Sequence, residues 1–263
     1  MFLFCDLIIA QPKKLFGDLV TIGYNLNLIF FYLSYGAIMN KNGLEELFLK
    51  TFPFWKNLKS EDKEVFFRSS MEISFEKGTN IHDGNECTGI ILVKRGTLRL
   101  YILSEDGKEI TLYRLFAGDL CILSASCVLE TITFDVMVDA EEDCDCVVVG
   151  GCAYEELANR LPEVKIFALE SAVSRFSDVM WVMQQILFMS FDKRLAIFLL
   201  DEAAKEGSDT IKLTHEQIAK YMGSAREVVS RMMKYFISEG LVSSSRGEGI
   251  KILDKKRLRE RSI

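Results

Sequence analysis

Between Met71 and about Tyr154 the apolar residues of this chain alternate with a period of two or run continuously as β-formers. On either side of that stretch they recur at every third or fourth. A period of two sends alternate side chains to opposite faces of a strand, and a period near 3.6 gathers them on one face of a helix. A chain that changes period twice must set a β block between two helical blocks, an α+β arrangement. Glycines cut the β block into short pieces. "TGIILVKRGTLRLYILSEDGKEITLYRL" breaks at Gly96 and at Glu105 to Gly107, "FAGDL" turns again at 116–120, and "TFDVMVDA" and "CDCVVVGG" supply two more strands. Many short strands with glycine turns predict an antiparallel β-roll, a double-stranded jelly roll.

The helical blocks carry their own punctuation. "LEELFLKTFPFW" and "SEDKEVFFRSS" precede the roll. After it, Pro162 fits the first turn of a long helix. In that helix Leu169, Phe176 and Met183 lie seven apart, and Val173, Met180 and Leu187 repeat the step. Two interleaved seven-residue rows form an apolar seam that calls for a partner helix, either a second copy or an intramolecular neighbour. A further helix runs from Ser190 to a stop at Gly207. Thr214 and Gln217 then match a capping box, with Gly223 closing the short helix behind them. Ser224 and Glu227 predict a second capping box and a second helix, which Gly240 ends. "LVSSSRGEGIKIL" reads as a hairpin with Gly247 and Gly249 at its tip. The expected domains are an effector roll at 39–158, a dimerisation helix at 159–189 and a DNA-binding unit at 190–263. Residues 1–38 are set apart as a leader. It holds an uncharged apolar stretch long enough for a bilayer but diluted by Gly23, Tyr24, Asn25 and Asn27, and Met39 opens an ordinary soluble sequence.

Charge separates the two ends. The net charge is −6, yet from Lys220 onward eleven Lys and Arg face five Asp and Glu, a local +6 that leaves −12 on the remainder. A basic end on an acidic body suits one module that meets a polyanion; the alternative is a solvated basic tail, since Lys255 to Arg261 supply five of those cations. The seven cysteines, without a secretory cleavage site, predict a reduced, cytoplasmic protein.

"GSAREVVSRMMKYF" at 223–236 concentrates the chemistry. At 100° per residue, Arg226, Glu227, Ser230, Arg231 and Lys234 share an arc of roughly 140°, with Val229, Met232, Met233 and Phe236 opposite. A short helix, a tight turn and a second helix with cationic and polar first turns make a helix-turn-helix. Its second helix enters the major groove of double-stranded DNA, where arginine bonds guanine and glutamate accepts from cytosine. Thr214 and Ser224 join the expected DNA-contacting set. Arg246 and Lys251, on the hairpin, complete it as a wing along the phosphates.

The order of β-roll, long helix and winged helix-turn-helix resembles the cyclic-AMP receptor protein and FNR family of bacterial transcription regulators. The resemblance rests on "REVVSR" after "LTHEQIAKYMGSA", on "GTLRLYILSEDGKEITLYRLFAGDL" and on "FDKRLAIFLL", and it spans about residues 45–253. It implies that the residues matching Arg226, Glu227 and Arg231 touch bases. A homodimeric regulator is expected, with RNA polymerase as a further partner.

Two departures stand out. Cyclic-nucleotide sensors hold the phosphate with an arginine, but "CILSASCVLETITFDVMVDA" has none; Phe134 and Asp135 stand where Arg and Ser belong, so cyclic AMP is not expected. The N-terminal cysteine cluster of the iron–sulfur branch is missing too, so that cluster is not expected either. The effector pocket stays unassigned, with Cys121, Ser124 and Phe134 as candidates. Cys144, Cys146 and Cys152 are candidates for a thiol switch or metal site, against the plainer reading of cysteine as a small core residue. A cupin-like enzyme would need several histidines or paired carboxylates around a metal, and the chain has two histidines, His82 and His215. No enzyme activity is expected.

Overall fold

The computed structural model describes residues 41–84, 87–105, 107–125, 135–245, 247 and 249–262. The leader at 1–38, and with it Phe134 and Arg246, lies outside the described residues. Among the described residues no helix is long and apolar enough to cross a membrane.

Helices α1 (Lys41–Thr51) and α2 (Ser60–Arg68) flank a 3-10 turn at Pro53–Asn57. Phe48, Phe52, Trp55 and Phe66 are fully buried there. Their rings meet at 4.8 Å (Phe48–Trp55) and 5.4 Å (Trp55–Phe66), edge-on or tilted as ring quadrupoles prefer. This aromatic plug packs with Tyr154 into the same core as the roll.

Among the described residues the roll has eight strands: β1 (Ser70–Phe75), β2 (Asn80–His82), β3 (Ile90–Arg95), β4 (Leu98–Leu103), β5 (Glu109–Leu115), β6 (Leu120–Cys121), β7 (Met137–Ala140) and β8 (Cys144–Val149). They form two four-stranded sheets, β1-β8-β3-β6 and β2-β7-β4-β5. All the pairings are antiparallel, with Ser70 opposite Val149 and Leu98 opposite Leu115. Gly96, at φ 90°, makes the β3–β4 turn, and a Cβ there would lie 2.5 Å from the Cys144 sulfur. No other residue type fits this turn without displacing β8.

Cys121, Cys144 and Cys146 are buried free thiols, and Cys152 is exposed. Burial pushes the Cys121 and Cys144 thiols up and Cys146 to about 12, so all three resist forming the reactive thiolate. Cys87, by contrast, is disulfide-bonded, which departs from the expectation of a fully reduced chain.

Helix α3 (Gly151–Arg160) leads into α4 (Pro162–Phe188), where Pro162 opens the first turn as expected. Val164 and Ala168 bury into the roll, with Ala172 and Val179 packed against it. The opposite face is bare. Leu169, Val173, Phe176, Met180, Met183 and Leu187 are 43–65% exposed, and Ile166, seven residues before Val173, extends their row. Helix α5 (Phe191–Glu206) then starts behind Ser190 and ends on Gly207 at φ 61°. It carries a second core, with β9 (Thr210–Ile211), α6 (His215–Tyr221), α7 (Arg226–Ser238), β10 (Val242–Ser245), β11 (Gly249–Ile252) and α8 (Lys255–Ser262) around it. The basic end is therefore no solvated tail. Leu258 of α8 is fully buried, Lys255 pairs with Asp209, and Arg257 with Glu239.

Candidate nucleic-acid interface

Two short helices make the reading head. The Thr214 hydroxyl accepts from the Gln217 backbone N–H, and the Gln217 side chain accepts in return from the Thr214 backbone. This reciprocal cap satisfies donors that a seven-residue helix would otherwise leave open. Gly223 closes α6 at φ 58°. The left-handed turn redirects the chain into α7, and a side chain there would be strained.

The second capping box is a misreading. Helix α7 starts at Arg226, its N-cap is Ala225, and no side chain caps it. Ser224 lies one residue too early to reach the first turn. Glu227 is consequently not spent on its own helix and stands exposed with Arg226, Arg231 and Lys234, while Val229, Met233 and Phe236 are buried beneath. Ser230 is half-buried, its hydroxyl 3.0 Å from His215 Nδ1 on α6. Burial, with Arg226 nearby, pulls the His215 pKa down, which favours the neutral ring in that contact. Lys251 is exposed on the β10–β11 wing.

Cys121 and Ser124 are fully buried, and the Ser124 hydroxyl donates to the Gly89 carbonyl at 2.7 Å. Among the described residues no group of three or more His, Cys, Asp or Glu is placed to hold a metal ion, so Cys144, Cys146 and Cys152 are not gathered into such a site.

Sequence reading missed how the head is fastened to the roll. Arg114 on β5 forms a two-pronged ion pair with Glu202 on α5, one prong at 3.2 Å. Only 14% of the arginine side chain and 5% of the glutamate remain exposed. The same guanidinium stacks 4.3 Å from the Tyr221 ring. The Thr111 hydroxyl donates to the Lys220 carbonyl at 3.0 Å, and Lys220 Nζ pairs with Glu109 at 3.3 Å. Glu109 is also held at 2.6 Å by the buried Arg99. Burial opposes the charge on Glu109, yet Arg99 and Lys220 outweigh it and hold its carboxyl below the usual range. A signal existed in the sequence: Glu202 falls within the apolar stripe of Leu195, Leu199 and Ala203, and a carboxylate in that position needs a buried cation.

The Crp-like helix-turn-helix domain family matches residues 193–261, the unit built by α5 to α8. "Probable transcriptional regulator flp" of Lacticaseibacillus casei is 26% identical over 211 residues, 77% of this chain and 92% of that protein. FixK2 of Bradyrhizobium japonicum, at 21% identity and TM-score 0.62, covers 74% of this chain and 98% of its own; it shares the fold. A crp/fnr-family transcriptional regulator from Eubacterium rectale aligns with a TM-score of 0.76, covering 81% of this chain and 98% of its own. These relatives are regulators of transcription and not enzymes. With 47% identity to that last protein over almost its whole length, and with the reading head assembled as described, the chain belongs to the Crp/Fnr family of transcription regulators.

Proposed function

We propose that the chain acts as a homodimer that reads a two-fold DNA site, one α7 helix in each of two successive major grooves. Arg226, Glu227 and Arg231 face base edges, and Thr214, Ser224, Ser230, Lys234, Arg246 and Lys251 hold the sugar-phosphate backbone. The observation that carries this reading is the exposed Arg226–Glu227–Arg231 edge of α7, free of capping duty and directly behind the Gly223 turn. Selection of duplexes from a random pool tests it. Arg226→Ala is expected to lose about 5- to 150-fold at its preferred guanine, with binding to random DNA nearly unchanged. A uniform fall across all duplexes would move Arg226 to the phosphates instead.

The sensor's effector differs from cyclic AMP in this reading. Residues 121–140 contain no lysine or arginine. The cation beside Cys121, Arg175, is engaged by Asp178 at 3.2 Å and Asp119 at 3.8 Å. A cyclic phosphate would have to displace those carboxylates, and that is unfavourable.

One observation favours a second, redox reading of the sensor: Cys87 is disulfide-bonded. Under that reading, dithiothreitol shifts the affinity for the selected duplex by at least about fivefold (roughly 1 kcal/mol), and Cys87→Ser abolishes the shift. Equal affinity in oxidant and reductant would assign the bond to structure.

A further inference from the structure

A cavity of about 130 Å³ lies where the roll, the long helix and the reading head meet. Ile110 and Thr111 of β5 form one wall, Val182, Gln185 and Ile186 of α4 a second. Arg194, Phe198 and Asp201 of α5 form a third, and the space is half open to solvent. The α4 residues sit away from the bare seam, so the space lies within one chain. Its walls are largely apolar, and cavities near this size accept guests of benzene dimensions.

Arg194 gives the cavity its chemistry. One guanidinium nitrogen donates to the Met222 carbonyl at 3.3 Å. Its Nε is buried and has no acceptor among the described residues. Burial lowers its pKa, and among the described residues no carboxylate raises it again. A half-buried cation with an open N–H and no counter-ion is an unfinished interaction, and a carboxylate completes it with charge-assisted bonds. Asp201 lies two turns further along α5, about 10 Å away. Burial and the neighbouring Glu202 push its carboxyl up, so that end of the cavity carries no second cation for an anion to meet. The volume is too small for a nucleotide, and a dicarboxylate would find one cation for its two charges.

We infer that this cavity binds a small monocarboxylic acid with an apolar body about the size of benzoate, its carboxylate on Arg194 and its body against Phe198, Ile186 and Ile110. The ligand would bridge three elements and touch the residue whose neighbour carbonyl, Met222, precedes the Gly223 turn. Its role as an effector rests on the regulatory reading above; its binding does not.

Calorimetric titration of benzoate into the full chain, without DNA, tests the site. Saturable binding with one benzoate per chain and Kd below about 1 mM is expected. Benzyl alcohol and succinate should each bind at least tenfold more weakly, and Arg194→Gln should weaken benzoate at least tenfold. Ile186→Trp fills the cavity from a position already 38% exposed, so it keeps the test open should the arginine variant fail to fold. Loss of benzoate binding in that variant supports the site. No saturable heat up to 10-fold above that Kd, or unchanged benzoate affinity in Ile186→Trp, overturns it. Duplex affinity is measured separately. Benzoate binding without any duplex binding would sink the regulatory reading and leave the cavity assignment standing.

Discussion

Phe176→Asp is expected to turn the dimer into a folded monomer and to weaken operator binding by at least about 100-fold. The reasoning begins with exposure. Phe176 is 63% exposed in the single chain, so a carboxylate there disturbs no core. At the seam it would meet its own copy, and two carboxylates removed from water near one another cost several kcal/mol. The seven seam side chains from Ile166 to Leu187 are already about half buried in the single chain, so each contributes roughly 1 kcal/mol on full burial, before the cost of association. Under the proposed dimeric reading, loss of the dimer matters because two linked heads would engage their half-sites at an effective concentration near millimolar, a gain of roughly 10²–10⁴ over one head. Light scattering gives the mass and a mobility shift gives the affinity. Ser174→Asp, exposed on α4 but off both seam rows, serves as control and should leave both unchanged. A Phe176→Asp protein that stays dimeric at micromolar concentration would remove the seam from the account.

Glu202→Gln should release the reading head from the roll at a cost of about 3–5 kcal/mol. The pair with Arg114 is almost fully desolvated, and the change leaves the guanidinium beneath Tyr221 without its counter-charge. The loss falls on the contact between the two cores, because Glu202 belongs to the core around α5 and Arg114 to the roll. One melting transition should become two, and chymotryptic cleavage after Phe188, 80% exposed at the end of α4, should accelerate by at least about tenfold, tracking the population of the open form. Replacing both partners, Arg114→Met with Glu202→Met, should restore most of the docking, since apolar substitution of a whole buried pair is often neutral. A single variant that melts like the parent, within about 0.5 kcal/mol, would show that the pair is bystander to the docking.

The order of layers was legible because periodicity and glycine are local signals. The switches of period near Met71 and Tyr154, the stops at Gly207 and Gly240, and the Thr214 cap all depend on residues within a few positions of one another. The α7 start was misplaced for the same reason: Ser224 and Glu227 have cap spacing, but the turn at Gly223 delays the helix to Arg226, and spacing alone does not encode that delay. The recognition edge could be placed on a wheel, and the exposure of Arg226, Glu227 and Arg231 agrees with that placement. The contacts of Arg114 with Glu202, Thr111 with Lys220 and Ser230 with His215 span 88, 109 and 15 residues. Such pairs follow from the path of the whole chain, and only the misfit of Glu202 in an apolar stripe hinted at one of them.

The end of α6 is pinned from two sides. Thr111, on a roll strand, donates to the carbonyl of Lys220, and Arg194, on α5, donates to the carbonyl of Met222. The joint therefore has little slack. An ångström of travel in β5 must either snap a bond or carry the Gly223 corner with it, and sub-ångström play is all that close-packed walls allow. Stiffness at that corner makes the strand a lever, so a shift in the roll is carried into the start of α7.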